Sequence, residues 1–272
     1  MKLLINYANG IFQESQRRNS ATGCSIAGFD RAISYGPGDI DAAFRQKNKQ
    51  ILSAPQGNGY WLWKPYFIEK SLRQLADGEL LFYCDSGSHF IDSLAPLFAI
   101  PERDDQDVIC FELGLVEKDW TKRDAFLLLD CDSREFTHSP QRLGGFSLWR
   151  KSSRSLEVAR QWLEYAQDPR LITDLKNQLG KYNYQGFRAH RHDQSLFSLV
   201  TKKRGILPHR DPSQWGNGGM DSYPHSTYGQ LIDLTRKRGR LPLLPRIAKE
   251  TGRLAKQIIK LWPTRPEPLE AA

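Results

Sequence analysis

Several stretches of this chain carry residue types that could do chemistry. Leu80-Leu81-Phe82-Tyr83-Cys84-Asp85-Ser86-Gly87 is an apolar run that closes on a carboxylate. Open parallel sheets bind ligands outside the carboxyl ends of their strands, so Asp85 is expected at the mouth of a cleft. A carboxylate there can hold a hard divalent cation, Mn²⁺ or Mg²⁺, and the cation can neutralise a diphosphate. Gly87 would let the backbone approach such a ligand. The plainer alternative is an Asp that opens a turn. Asp130-Cys131-Asp132 is a rival acidic pair. However, Thr121 and Asp124 read as a capping box ahead of the apolar run 126–129, which puts that pair at a helix end.

Residues 57–66 set Gly57 and Gly59 among Tyr60, Trp61, Trp63 and Tyr66, around Lys64. Aromatic rings beside a glycine loop can stack on a base or a sugar face, and a lysine near a helix start can pair with phosphate. At least one tryptophan is expected in the core, since alternate residues face opposite ways. No Walker A or GxGxxG pattern is present. In His190-Arg191-His192-Asp193-Gln194, Asp193 or His192 could act as a base toward a hydroxyl and Arg191 could bind phosphate. Otherwise Asp193 caps the following helix and the cations sit in water. Gly144 and Gly145 could floor a cleft where no side chain fits. Arg210-Asp211-Pro212 through Gly216-Asn217-Gly218-Gly219 reads as a flexible loop that could close over a ligand, with His225 as a late metal ligand.

These residues need a sheet to hold them. Residues 2–6 read as a buried strand ending on Asn6, and 32–35 as a second, closed by Gly36-Pro37-Gly38. Asp39 or Asp41 then caps a helix through Phe44 to Leu52. A helix carrying Phe67, Ile68, Leu72 and Leu75 follows Pro65 and stops at Asp77-Gly78. Further strands are expected at 79–84, 107–113 and 144–149, and further helices at 122–129, 155–166 and 194–202. This alternation predicts an α/β fold with a mostly parallel central sheet flanked by helices.

The 272 residues, 26% of them charged, suit a folded domain with a sizeable core. No apolar run approaches the ~18 residues needed to span a bilayer. The apolar start is too short for a signal peptide, so the chain is expected in the cytoplasm. Cys24, Cys84, Cys110 and Cys131 show neither CxxC nor zinc-ligand spacing and are expected as reduced thiols. The net charge of +8 is concentrated: 236–265 holds ten Lys/Arg against Glu250, which leaves about −1 for the rest. A near-neutral body argues against nucleic-acid binding. Residues 247–262 fit a basic amphipathic helix ending in Trp262, suited to an anionic membrane surface. The chain thus divides into a body, 1–235, and a basic tail, 236–272.

The strand ending in Asn6, the Gly59-Tyr60-Trp61-Leu62-Trp63-Lys64-Pro65 segment, the Tyr83-Cys84-Asp85-Ser86-Gly87 strand end and His190-Arg191-His192-Asp193-Gln194-Ser195 occur in that order. Together they resemble a group of bacterial glycosyltransferase-like proteins, often encoded with polysaccharide-assembly genes and expected to have the GT-A nucleotide-sugar fold. The resemblance covers roughly 1–235. It implies a hexosyl-type transferase moving a sugar from a nucleotide-sugar donor to a saccharide or lipid-linked acceptor, and the basic tail would set it on the inner face of the cytoplasmic membrane. Donor contacts are then expected from Asn6, Tyr7, Gly59, Trp63, Lys64, Asp85 and Ser86. Acceptor-side contacts are expected from Gly145, Arg191 and Gln194, and catalysis from Asp193 and His192. Members of the wider fold carry Asp-x-Asp at the strand end, where this chain has Asp85-Ser86-Gly87. Asp85 alone would therefore hold a cation, or would hydrogen-bond the donor ribose instead. The rival readings are a sugar-phosphate or nucleotidyl transferase and a non-catalytic, membrane-peripheral binding protein.

Overall fold

A computed structural model of the chain describes residues 1–217, 223 and 225–235. They fall in the first of two units, Met1–Arg236. The basic tail, with its expected helix at 247–262, lies outside the described residues. Among the described residues no helix is long and apolar enough to cross a membrane.

The strands are β1 (Lys2–Tyr7), β2 (Arg31–Tyr35), β3 (Leu80–Cys84), β4 (Ser88–Phe90), β5 (Val108–Val116), β6 (Pro140–Arg142), β7 (Phe146–Arg150), β8 (Pro208–Arg210) and β9 (Ile232–Leu234). One sheet runs β2-β1-β3-β7-β5-β6, with β8 also paired to β5, while β4 and β9 pair separately. The pairings set β1, β2, β3, β5 and β8 in one direction and β6 and β7 in the other. The expected mostly parallel α/β sheet is therefore present, with one reversed strand, β7, in its middle.

Strands covered on both faces read as continuous apolar runs, and Leu80–Cys84 is such a run. Alternate residues go to opposite sides. Leu3, Ile5, Tyr7, Leu81, Tyr83 and Trp149 pack with the helices Trp63–Leu72, Ser153–Ala166 and His192–Lys203. Leu4, Phe82, Cys84, Phe111, Phe146 and Leu148 pack with Phe29, Phe90, Leu97 and Ile232 on the other face. Each fully buried large side chain contributes about 1.5–3 kcal/mol. Registers Ile5↔Tyr83 and Cys84↔Phe146 bring the carboxyl end of β3 and the start of β7 to one edge, beside the end of β1.

Several local expectations are corrected. The helix expected after Asp41 breaks at Asn48 into Ala42–Lys47 and Lys49–Leu52, and the Asp41 side chain takes the Tyr66 hydroxyl and Lys70 instead of capping. The capping box at Thr121 and Asp124 does not form. Thr121 donates to Glu117 (2.6 Å) and Asp124 accepts the backbone N–H of Gln178 (2.6 Å), although the helix Arg123–Leu128 is there. Ser152 and Ser155 make a capping box ahead of Ser153–Ala166. Arg210 and Asp211, expected in a flexible loop, are buried: Arg210 ends β8 and stacks on Tyr228.

Candidate active site

Asp85 follows β3 directly and emerges at the edge formed by the carboxyl ends of β1–β3. Its N–H donates to the Gly145 carbonyl (2.7 Å) and its carbonyl accepts from Ser88 (3.0 Å). Tyr83, one alternation back on the same face, donates its hydroxyl to Asp85 Oδ1. Burial and Asp85 hold the Tyr83 phenol well above its usual range, so it stays a donor. The Asp85 side chain remains 41% exposed. A Cβ on Gly145 would lie 3.5 Å from Asp85 Oδ2, so the glycine leaves that flank narrow but open.

Behind Asp85 lies Lys64, only 3% exposed. Its Nζ sits 2.7 Å from Asp193 Oδ2, 2.8 Å from the Gly144 carbonyl and 3.5 Å from Asp85 Oδ1. Burial opposes the ammonium charge, but the carboxylates of Asp193 and Asp85 outweigh it and raise the Lys64 pKa. Asp193 is buried in turn, so it acts on Lys64 and not on solvent.

The chain reaches Lys64 through a strained turn. Gly57, Asn58, Gly59, Tyr60 and Trp61 all have positive φ, at 56°, 53°, 95°, 52° and 60°. Each non-glycine residue held there costs about 1–2 kcal/mol. Gly59 has no substitute, since a Cβ would come within 2.8 Å of Leu52 Cα. Trp63 stacks on Tyr7 (3.9 Å between centroids) and donates Nε1–H to the Gly57 carbonyl (3.0 Å), which locks the turn onto β1. The segment bearing Asp193 is also strained: His192 has φ 50° and stacks on Trp61 at 5.3 Å. Strained residues in mutual contact therefore flank the two positions that supply Lys64 and Asp193. The Trp162 indole donates to the Asp193 carbonyl (3.0 Å) and fixes it from the core side.

A buried polar chain supports Gly144. Gln194 accepts the Gly144 N–H (3.0 Å) and donates to Gln141 Oε1 (2.7 Å). Gln141 donates to Glu117 Oε1 (2.9 Å). Glu117, fully buried, also takes Thr121, Ser198 and Lys202. A Cβ on Gly144 would meet Gln194 Cβ at 2.8 Å, so this contact requires glycine.

Of the residues expected at the site, the structure brings Lys64, Asp85, Gly145 and Asp193 together, with Gln194 beside them. Others support the site without lining it. Asn6 is buried and ties β1 to the helix Gln13–Thr22 through Asn19 and Ser20. Tyr7 and Trp63 are packed on each other, Gly59 is sealed under Leu52, and Ser86 is buried beside Asp85. His192, expected as a base, is buried. Its Nδ1 is engaged by the Ile172 carbonyl (2.8 Å) and its Nε2 faces Asp174 at 3.8 Å. His190 is a neutral core residue, with burial the main cause of its low pKa. His225, expected as a metal ligand, has Asp104 and His209 as charged neighbours. Asp130 and Asp132 point apart, to Lys203 and Arg123. Sequence reading missed Tyr83, Gln141, Glu117 and Trp162; Tyr83 had a signal, standing two residues before Asp85 on a strand.

The donor set does not fit a divalent cation well. Asp85 Oδ1 already faces Tyr83 and the Lys64 ammonium, and a cation on Oδ2 would sit within a few ångströms of that ammonium. Among the described residues no three His, Cys, Asp or Glu side chains converge as a metal site. Two surface hollows lie elsewhere, one of about 490 Å³ between Phe44, Tyr66 and Leu163 and one of about 270 Å³ beside Asp107 and Arg154. Ion pairs run along their walls, as in Glu69 with Arg160 and Asp107 with Arg154.

No family model matches the chain, and no curated protein matches it in sequence. Three solved structures are similar in chain path. Mouse xyloside xylosyltransferase 1 is 13% identical, with TM-score 0.47 over 89% of this chain and 99% of that one. The bifunctional glycosyltransferase WbbM is 11% identical, with TM-score 0.48 over 85% of this chain and 45% of that one. The galactosyltransferase LgtC, in complex with donor and acceptor sugar analogues, is 12% identical, with TM-score 0.48 over 97% of this chain and 98% of that one.

Proposed function

We propose that the chain is a glycosyltransferase that takes a sugar from a nucleotide-sugar donor, with a GT-A-like body at 1–235. One observation carries this reading. At the ligand-binding edge of an α/β sheet, an exposed carboxylate, Asp85, is braced by a buried lysine, by Tyr83 and by a glycine that keeps its flank open. A carboxylate so held accepts hydrogen bonds from sugar hydroxyls, and Lys64 and Tyr83 keep it aimed. Asp193 is the positioning residue that holds Lys64. The donor lies along the ends of β1–β3 and the acceptor enters over Gly145 and Arg191. The divalent cation expected from the sequence has no place in this step.

The acceptor is a saccharide or lipid-linked saccharide of cell-surface polysaccharide assembly, and the basic residues of 236–262 bring the enzyme to an anionic membrane. The support for these is the sequence alone: the tail's charge and the resemblance of 1–235.

The test is a panel of nucleotide sugars, each offered to the full chain and to Asp85→Asn, with products identified. Release of a nucleoside diphosphate by the wild type and its loss in the variant support the reading. Release of pyrophosphate or a nucleoside monophosphate would assign a nucleotidyl or sugar-phosphate transferase instead. No turnover and no thermal stabilisation by any donor would leave a binding protein.

A further inference from the structure

The segment that carries Asp193 is tied down by imidazoles. Pro169–Ile172 is a single helical turn, and so short a helix leaves its last carbonyls without partners of its own. Side chains from elsewhere take them. His190 Nε2 donates to the Leu171 carbonyl (2.7 Å) and His192 Nδ1 to the Ile172 carbonyl (2.8 Å). Lys122 Nζ donates to the carbonyls of Thr173 (3.2 Å) and Leu175 (2.9 Å) just beyond. His190, His192 and Lys122 are all buried.

A carbonyl only accepts, so each bond fixes where an imidazole proton lies. His190 carries its proton on Nε2, and its bare Nδ1 accepts the Lys122 backbone N–H (3.3 Å). Both nitrogens of His190 are in use, and only the neutral ring fits. A second proton would stand on Nδ1 against that N–H. Burial, the facing His192 ring and the charge of Lys122 hold the His190 pKa well below its usual value. His192 carries its proton on Nδ1. The charged groups around the pair are Lys122, the carboxylates of Asp124, Asp168 and Asp174 near it, and Asp193 beside His192. Asp174 also faces His192 Nε2 at 3.8 Å.

These bonds bear on the site directly. His192 immediately precedes Asp193, sits at φ 50° and stacks on Trp61. The Trp61 carbonyl in turn accepts the Lys64 N–H (2.9 Å). A positive φ in a non-glycine residue persists only where its surroundings enforce it. Here the Ile172 carbonyl and the Trp61 ring do so.

We infer that His190 and His192 are positioning residues: as neutral imidazoles they clasp the carbonyl end of 169–172 to the chain at 190–193, and so hold Asp193 on Lys64. Acid opens the clasp. Below pH 6.5 an opened or unfolded His190 takes up a proton that the closed form refuses, so the clasp is at full strength above 6.5 and weakens as pH falls from there. That the clasp serves sugar transfer rests on the function proposed above; the clasp itself does not.

The experiment uses the full chain as wild type, His190→Gln, His190→Leu, His192→Asn and His192→Leu. Gln sets an amide N–H where Nε2–H stood, Asn sets one where Nδ1–H stood, and neither amide titrates. Leu removes the donor. The readouts are imidazole nitrogen shifts, amide hydrogen exchange over 190–196, and kcat and KM with a nucleotide sugar. At neutral pH the leucine variants are expected to exchange about 10-fold faster over 190–196, and their kcat to fall about 10-fold with KM within about 2-fold. The amide variants should stay within about 3-fold of wild type on each readout. Below pH 6.5 wild-type protection should fall by up to about 10-fold per pH unit, the slope of one proton, and stay level in His190→Gln. The opposite tautomers, level wild-type protection in acid, or leucine variants that match the wild type would each overturn the inference. If the leucine variants do not fold, His190→Gln decides: protection lost in acid as in the wild type overturns it. Acid-labile protection in a chain that turns over no nucleotide sugar would keep the clasp and remove the proposed function. Normal transfer with level protection would do the reverse.

Discussion

Lys202 and Lys64 both end on a buried carboxylate, 2.6 Å from Glu117 and 2.7 Å from Asp193. Around Glu117 the accounts close: Thr121 and Gln141 serve one oxygen, Ser198 and Lys202 the other, and the carboxylate is sealed from water. Burial outweighs Glu117 there and lowers the Lys202 pKa. Around Lys64 there is a carboxylate to spare. Two acids outweigh burial, the Lys64 pKa rises, and the surplus acid is the exposed one. A matched buried pair holds a fold together, whereas a surplus carboxylate turned to solvent makes a site. Gln141 and Gln194 join the two pairs through Gly144.

The comparison can be broken at several points. The largest effect should come from Asp85→Asn, which is expected to lower turnover about 100-fold or more. Its melting temperature should stay near the wild type's, because the side chain already meets water. Lys64→Met comes next. It strands two acids and should remove about 3–5 kcal/mol of stability, read by urea unfolding, along with activity. The sign of its pH dependence follows from the raised folded pKa. The ammonium's contribution is present in full below the ordinary value of 10.5 and fades as pH climbs through the folded value. The stability gap between wild type and Lys64→Met should therefore narrow above pH 10.5, and a gap that widens there would contradict the assignment.

Glu117→Gln should cost about 3 kcal/mol by leaving Lys202 without its counter-charge. Its folded fraction should nonetheless turn over within about an order of magnitude of wild type. The smallest effect is expected from Gln194→Ala, which frees the Gly144 N–H at about 1–3 kcal/mol. Its kcat should fall with KM little changed, because Gly144 positions Lys64 without reaching the substrate.

The sheet was legible because Leu80–Cys84 and the start of β1 are apolar on both faces, and only strands covered on both sides read that way. Asp85 and Lys64 were legible from residue type and position. Their partnership was not, since a lysine beside glycines reads as a phosphate ligand until its two carboxylates are seen. Asp193 and His192 look alike as bases in sequence. A positive φ at His192 and a carbonyl on its Nδ1 separate their roles, and neither leaves a mark on composition. The short strands β4, β6, β8 and β9, of three residues each, are too brief to show a period. Asn6, Tyr7 and Trp63 read in sequence as contacts with a ligand; in the fold Tyr7 and Trp63 pack on each other and Asn6 bonds Asn19 and Ser20, and apolar packing explains the two aromatic types as well as stacking on a base does.

Nucleoside diphosphate release from a nucleotide sugar, measured side by side for wild type, Asp85→Asn and Glu117→Gln at matched folded fraction, bears most directly on the claim that the surplus carboxylate is where the chemistry happens. The expected pattern is release by wild type, release within about tenfold of it by Glu117→Gln, and about 100-fold less by Asp85→Asn. Equal release by wild type and Asp85→Asn would place the chemistry elsewhere in the molecule.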